Sequence, residues 1–210
     1  EFWAETNILD VNNQTISRPR SSTPKQRISF ASEFEYIEYT FRFTPVEYAF
    51  RYELYLIFNY REMIDPDTAN NPMQQIEILI GEAKGTTNAS ENINIVYNGE
   101  QFYQKLQTEL GTGDEILRLG GVVDLKLVAV CEDISTYVDA SAPSNSIVQE
   151  RPSFTNIENG LGIFGCRSIM YFNGYYLNED SSKELREGEY TGPLNFCSLR
   201  YNTVANFNCD

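Results

Sequence analysis

The chain has 210 residues, 16 Lys and Arg against 30 Asp and Glu, and a net charge of −14 with a pI near 4.4. That length accommodates one large β domain or two small ones around a sizeable core. A surface this acidic repels nucleic acid and anionic lipid, which excludes both as expected partners.

There is no histidine. This removes the commonest general base, Ser-His-Asp and Cys-His arrangements, and every histidine metal site. Carboxylate-only and lysine-based mechanisms survive. No apolar run approaches the ~18–20 residues that a membrane helix needs. The chain opens Glu1-Phe2-Trp3 rather than with Met, and Glu1-Phe2 has the form of a cloning scar. The lack of a leader therefore says nothing about address.

In chain order, 2–11 predicts a short strand. Residues 12–27, with Arg18, Pro19, Arg20, Pro24, Lys25 and Arg27, predict a mobile polar loop, solvated or in contact with an acidic partner. Aromatic residues crowd 34–43. At 48–60, Tyr48, Phe50, Tyr52, Leu54, Leu56, Phe58 and Tyr60 fall at every second position. This is a long strand with one buried face. Thr44 to Glu47 predicts a turn that pairs these two runs as a hairpin. A loop at 65–73, a strand at 76–80, a polar turn at 84–92 and a strand at 93–97 follow.

Residues 99–110 predict one helix. Phe102, Leu106 and Leu110 share a face, Asn98 suits the N-cap, Glu100 the first turn and Gly111 the C-terminal stop. Val123 to Cys131 alternates as another core strand. An extended Ser-, Ala- and Pro-rich loop spans 139–153. Residues 163–177 predict two strands joined at Asn173-Gly174. Residues 178–193 are charged and turn-rich, and 194–207 suit a last irregular strand. The whole predicts a single mainly β domain over 1–210, an antiparallel β-sandwich with one short α-helix at about 99–110, and strand exceeding helix about twofold.

Three features occur in order: Gly121 to Val130, then Ile134-Ser-Thr-Tyr137, then Asn156-Ile-Glu-Asn-Gly-Leu-Gly-Ile-Phe164. Together they resemble the C-terminal part of uncharacterised cell-envelope lipoproteins of Bacteroidota. There a strand, a Tyr-containing segment and a Pro/Ser-rich loop precede an "SNI-x-x-G-x-G-x-F" stretch. Thr155 stands where that family often has Ser. The resemblance implies export, residence at the cell envelope as an outer-membrane or periplasm-facing lipoprotein, and membrane attachment only through an N-terminal lipid anchor that this chain lacks. It supplies no catalytic residues. Cys166, just after the Gly-rich stretch, departs from the pattern.

The four cysteines form no CxxC pair, so they stand as two disulfides or as reduced, partly buried thiols. In an exported protein the expected bridges are Cys197–Cys209 and Cys131–Cys166. Asp65, Asp67 and Asn70 offer oxygen ligands for calcium, although an ordinary turn explains them better. Thr68, within Asp67-Thr-Ala69, resembles the O-glycosylation acceptor of Bacteroidota envelope proteins. Asn13 and Asn88 head sequons that matter only in a eukaryotic host. Tyr171, Phe172, Tyr175 and Tyr176 surround Asn173-Gly174. Aromatics at a hairpin tip stack on sugars or fill a partner's pocket, whereas the plainer account places them on the core or over neighbouring strands. Glu33, Glu35 and Glu38, and Glu184, Glu187 and Glu189, are carboxylate clusters that suit solvated faces.

These observations predict a non-catalytic, envelope-associated binding or assembly module without a cofactor, whose partner is an envelope protein or a glycan. The ligand-binding residues would be Tyr171, Tyr175 and Tyr176. The alternatives are a carboxylate-dependent glycan hydrolase and a purely structural domain that supports a larger surface receptor by edge-strand pairing.

Overall fold

The computed structural model describes residues 16–17, 27–33, 35–64, 71–85, 91–111, 116–141, 154–199 and 207–208. The two long alternating runs become β6 (Arg51–Glu62) and β9 (Arg118–Val130), which pair antiparallel from Arg51 opposite Val130 to Glu62 opposite Arg118. Their period-two patterns coincide. Tyr52, Leu54, Leu56 and Phe58 lie buried on the inner side with Val123, Leu125, Leu127 and Ala129. On the far side of β6 runs β7 (Gln74–Lys84), and beyond β9 runs β10 (Arg167–Leu177), both antiparallel to their neighbours.

Two further strands lie parallel to their partners. β2 (Arg27–Ile28) follows the end of β10, and β11 (Phe196–Leu199) follows the start of β9, with β12 (Phe207–Asn208) outside it. The large sheet is therefore mixed and curls as a half-barrel, which departs from the purely antiparallel arrangement expected. A second sheet holds β1 (Ile16–Ser17), β5 (Glu38–Phe43) and β8 (Ile93–Asn98). A small hairpin joins β3 (Ala31–Ser32) to β4 (Glu35–Tyr36). Among the described residues strand exceeds helix as expected, at 48% against 24%.

The core fills the space between the sheets. Phe43 of β5 meets Tyr52 of β6 at 5.0 Å between ring centroids, and Phe58 meets Phe102 at 5.6 Å. The expected hairpin between 34–43 and 48–60 does not form, because β5 and β6 belong to different sheets. The segment between them changes layer instead. Tyr48 adopts φ 63°, and the Val46 N–H donates to the Tyr52 hydroxyl at 2.7 Å.

Helix α1 (Gly99–Leu110) forms where the 3.6-residue pattern places it. Asn98 Oδ1 accepts from the Glu100 N–H at 2.8 Å, and Gly111 ends the helix at φ 69°. Gly99 admits a close approach. Its N–H donates to the Ile37 carbonyl at 3.0 Å, and a Cβ there would collide with the Phe30 carbonyl.

Two helices were not expected. α2 (Glu132–Ser141) continues directly from β9, with Glu132 and Asp133 in the first turn, where the helix dipole favours acidic side chains. Asp139 ties it back to the sheet through Lys84 and Arg51, and the Lys84 hydrogen bond holds the Asp139 carboxyl below its usual range. α3 (Glu179–Glu187) occupies part of the charged stretch expected to be turns. Asn178 caps it by accepting from the Ser181 N–H at 3.0 Å. The buried Ser181 hydroxyl accepts from the Phe30 and Ala31 N–H groups at 2.8 and 3.0 Å.

Of the expected polar loop at 12–27, Ile16–Ser17 pairs with β5 and Arg27 opens β2, while the rest lies outside the described residues. The cysteines need one correction. Cys131 and Cys166 face each other at the end of the β9–β10 ladder, but they are thiols and not a disulfide. The Cys166 N–H donates to Cys131 Sγ at 3.0 Å. Cys197 is disulfide-bonded, and Cys209, its expected partner, lies outside the described residues.

The packing has two measurable consequences. Gly99→Ala should lower unfolding stability in urea by about 1–3 kcal/mol, because its methyl group meets backbone that cannot rotate away. Unchanged stability would show that α1 does not start against the Phe30–Ile37 turn. The second consequence concerns pH. Burial pushes the Tyr39, Tyr52 and Tyr97 phenols up from about 10 to about 12. The folded values exceed the unfolded ones, so this stabilisation is complete below about pH 10 and is lost as the pH rises through about 12. Melting temperature followed by circular dichroism should fall steeply across that window, in step with tyrosinate absorbance. A flat profile would mean that these phenols reach water.

Candidate functional site

The outer face of the large sheet carries the opposite phase of the same alternation. One register row crosses four strands: Leu79 of β7, Tyr55 of β6, Lys126 of β9 and Tyr171 of β10. Lys126 Nζ sits 4.5 Å from the Tyr55 ring centroid and 2.7 Å from Glu77 Oε1. The Tyr55 hydroxyl donates to Glu53 Oε2 at 2.8 Å. Burial first, then this bond to a carboxylate, pushes Tyr55 up to about 12. The row's two ends are the open ones. Leu79 is 47% exposed and Tyr171 56% exposed.

A polar row lies alongside. Gln75 Nε2 donates to Asn59 Oδ1 at 2.9 Å, Asn59 Nδ2 donates to Asp124 Oδ2 at 2.8 Å, and the Gly174 N–H donates to Asp124 Oδ1 at 2.7 Å. These bonds satisfy Asn59, which is buried in the sheet. In the other direction Val128 and Ile169 are opposite each other, and α2 closes that end of the face through Asp139.

The Gly-rich stretch that carries the family resemblance lies just before β10. Asn156 clasps it. Its Nδ2 donates to the Phe164 carbonyl at 2.6 Å, and its Oδ1 accepts from the Phe164 N–H at 2.8 Å. The loop between them leaves Phe164 half exposed and Leu161 89% exposed. The motif is thus a clasped loop beside the sheet, built by one amide side chain bonding both backbone groups of another residue.

Of the expected ligand residues, Tyr171 alone is strongly exposed. Asn173-Gly174 is not a hairpin tip. β10 runs on through it, with a register shift between Phe172 and Tyr175 and with Gly174 at φ 83°. This bulge reverses the phase of the strand. Tyr175 lands opposite Val123 on the inner side and is 2% exposed, so it belongs to the core. Tyr176 is half-buried on the outer phase. Asp65, Asp67, Asn70 and Thr68 lie outside the described residues, as do Asn13 and Asn88. Among the described residues no three His, Cys, Asp or Glu side chains form a metal-holding group.

The carboxylates that the structure does gather are Glu184 and Glu100. Tyr36 donates to Glu184 Oε1, and Tyr190 donates to Glu100 Oε1, each at 2.6 Å. The rings of Tyr36 and Tyr190 lie 6.2 Å apart. Burial and the Glu184 carboxylate together raise the Tyr36 phenol well above its usual range. The first bond fastens α3 to β4, and the second fastens α1 to the turn that follows α3. Glu187 of the same sequence cluster meets Arg186 at 3.5 Å.

Sequence reasoning missed Tyr55, Glu77, Leu79, Lys126 and Ile169. A signal for them existed. Tyr55 and Ile57 are bulky residues on the off-phase of the 48–60 alternation, where a solvated face needs neither.

No family model, curated protein or solved structure matches the chain.

The two phases of β10 separate two mutations. Tyr175→Ala should cost about 3–5 kcal/mol, as truncation of a buried aromatic does. Tyr171→Ala should stay within about 0.5 kcal/mol. Equal effects in chemical denaturation would mean that the bulge does not reverse the strand.

Proposed function

We propose that this chain is a non-catalytic binding or assembly module that recognises its partner, a protein or a glycan, on the outer face of the large sheet. The observation that carries this reading is the Leu79–Tyr55–Lys126–Tyr171 row, whose exposed end at Tyr171 shares its face of β10 with the exposed Ile169. Aromatic and aliphatic side chains that remain exposed on a sheet face gain free energy when a partner covers them. The packing of β5 and β8 across the curled sheet supports a sandwich-like scaffold for that face. The absence of histidine, and the engagement of Glu100 and Glu184 by tyrosine hydroxyls, favour binding over turnover.

The place of action follows from the lipoprotein resemblance at Thr155 to Phe164. We assign the domain to the cell envelope, held at the membrane through an N-terminal lipid anchor.

The test is a screen of the whole chain against a glycan array and against candidate envelope proteins. The binder is then titrated against Tyr171→Ala. Affinity should drop about tenfold or more while the melting temperature holds, as for an aromatic interface anchor. Glycan turnover that is lost on Glu184→Gln or Glu100→Gln would replace this reading with a carboxylate hydrolase.

A further inference from the structure

The large sheet ends in two edges of different chemistry. β7 forms one edge and, among the described residues, pairs only with β6. Its solvent-facing positions include Glu77, Glu82 and Lys84. Charges on an edge strand deter another chain from pairing there. β10 forms the other edge. β9 lies on one side of it, and on the other, among the described residues, β2 pairs only with Tyr176 and Leu177. From Ser168 to Leu177 this strand has no charged residue. Nothing guards it.

The hydrogen-bond phase identifies the spare backbone groups. The Cys131 N–H donates to the Cys166 carbonyl at 3.1 Å. Alternation along an antiparallel ladder then turns 168, 170 and 172 toward β9. It leaves the N–H and C=O groups of Arg167, Ile169 and Tyr171 pointing to the other side. Ile169 and Tyr171 are also the exposed large apolar side chains of the strand, beside the exposed Arg167. A row of spare donors and acceptors, repeating every second residue beside exposed apolar side chains, is matched by another extended backbone. A sugar has no such repeat. A second copy of this chain is disfavoured, since it brings its own charge of −14.

We infer that the Arg167–Phe172 edge of β10 receives an extended, uncharged segment of another protein, flanked by basic residues and added as a further strand in line with β2. This rests on the binding-module reading of the same region and makes the partner a polypeptide rather than a glycan.

The experiment follows amide exchange by NMR in the whole chain. The probe is the blocked peptide Lys-Val-Thr-Val-Thr-Val-Lys, compared with its Glu-flanked counterpart. In the protein alone, the Ile169 and Tyr171 amides should exchange fast while Met170 and Phe172 stay protected. Saturating Lys-flanked peptide should protect Ile169 and Tyr171. Ile169→Lys should weaken that peptide by about tenfold or more, since an edge lysine opposes strand addition. Gln75→Lys on β7 should leave it unchanged, and the Glu-flanked peptide should bind more weakly. Either of two results overturns the inference: Ile169 and Tyr171 already protected in the protein alone, or neither peptide protecting them. A concentration-dependent dimer abolished by Ile169→Lys also overturns it, because the edge then serves a second copy. Glycan binding that is lost in Tyr171→Ala but unaffected by Ile169→Lys overturns the strand inference and leaves the binding module standing. A chain that binds neither peptides nor glycans nor envelope proteins ends both.

Discussion

The register between β6 and β9 is the constraint on which the rest of this structure depends. Side chains alternate faces at every residue of a strand, so a slip by one position would exchange every inner residue for an outer one. The pairing of Leu54 with Leu127 and of Leu56 with Leu125 fixes the inner phase. The same pairing brings Tyr55 opposite Lys126 on the outside. Core and candidate site are thus two consequences of one ladder. The apolar side selects the register, because burying each of these side chains stabilises by about 1.5–3 kcal/mol. The outer row then falls into place with little selectivity of its own.

Directional polar bonds operate where the apolar core cannot specify orientation, at the margins of the sheets. Ser181 bonds two backbone N–H groups of the Phe30–Ala31 turn and so sets where α3 begins. Tyr36 and Tyr190 fix the helices through Glu184 and Glu100. At the opposite end of β6, Arg118 is almost fully buried. It donates to Glu62 Oε1 and to the Leu194 carbonyl, while Gln74 bonds the other Glu62 oxygen. A buried ion pair adds little net stability after desolvation, but removing one partner strands a charge. Arg118 thereby locks the entry of β9 beside Asn195 and β11.

Much of this fold was legible because its signals are local. The 48–60 alternation, the Asn98 cap and the Phe102–Leu106 stripe each record a periodicity or a hydrogen bond within a few residues. α2 and α3 escaped because they are short and polar. α3 buries only Ser181 and Leu185, and α2 only Ser135. Their positions depend on distant partners such as Arg51, Lys84 and the Phe30 backbone. Asn173-Gly174 has the composition of a hairpin turn, yet the Asp124 carboxylate on the neighbouring strand accepts the Gly174 N–H and β10 continues as a bulge. That single long-range bond accompanies the change of face that moves Tyr175 from expected ligand to core. The candidate site was visible only through Tyr171. Its other members become a row only when four strands are set in register.

The same row bears on what kind of partner suits it. Stacking on a sugar requires an open aromatic face. Lys126 lies over the Tyr55 ring and is held by Glu77, so displacing it would break a cation–π contact and an ion pair together. Tyr171 is left as the one ring of the row that is strongly exposed, and a single ring gives a sugar little orientation. A polypeptide strand uses different features. It takes its hydrogen bonds from the spare backbone at 167, 169 and 171, and it needs from the side chains only apolar cover, which Ile169 and Tyr171 provide. The unguarded edge and the occupied Tyr55 ring thus point the same way. They favour the proposed polypeptide partner, which would extend the sheet at its edge, over a sugar ring that would cover its face.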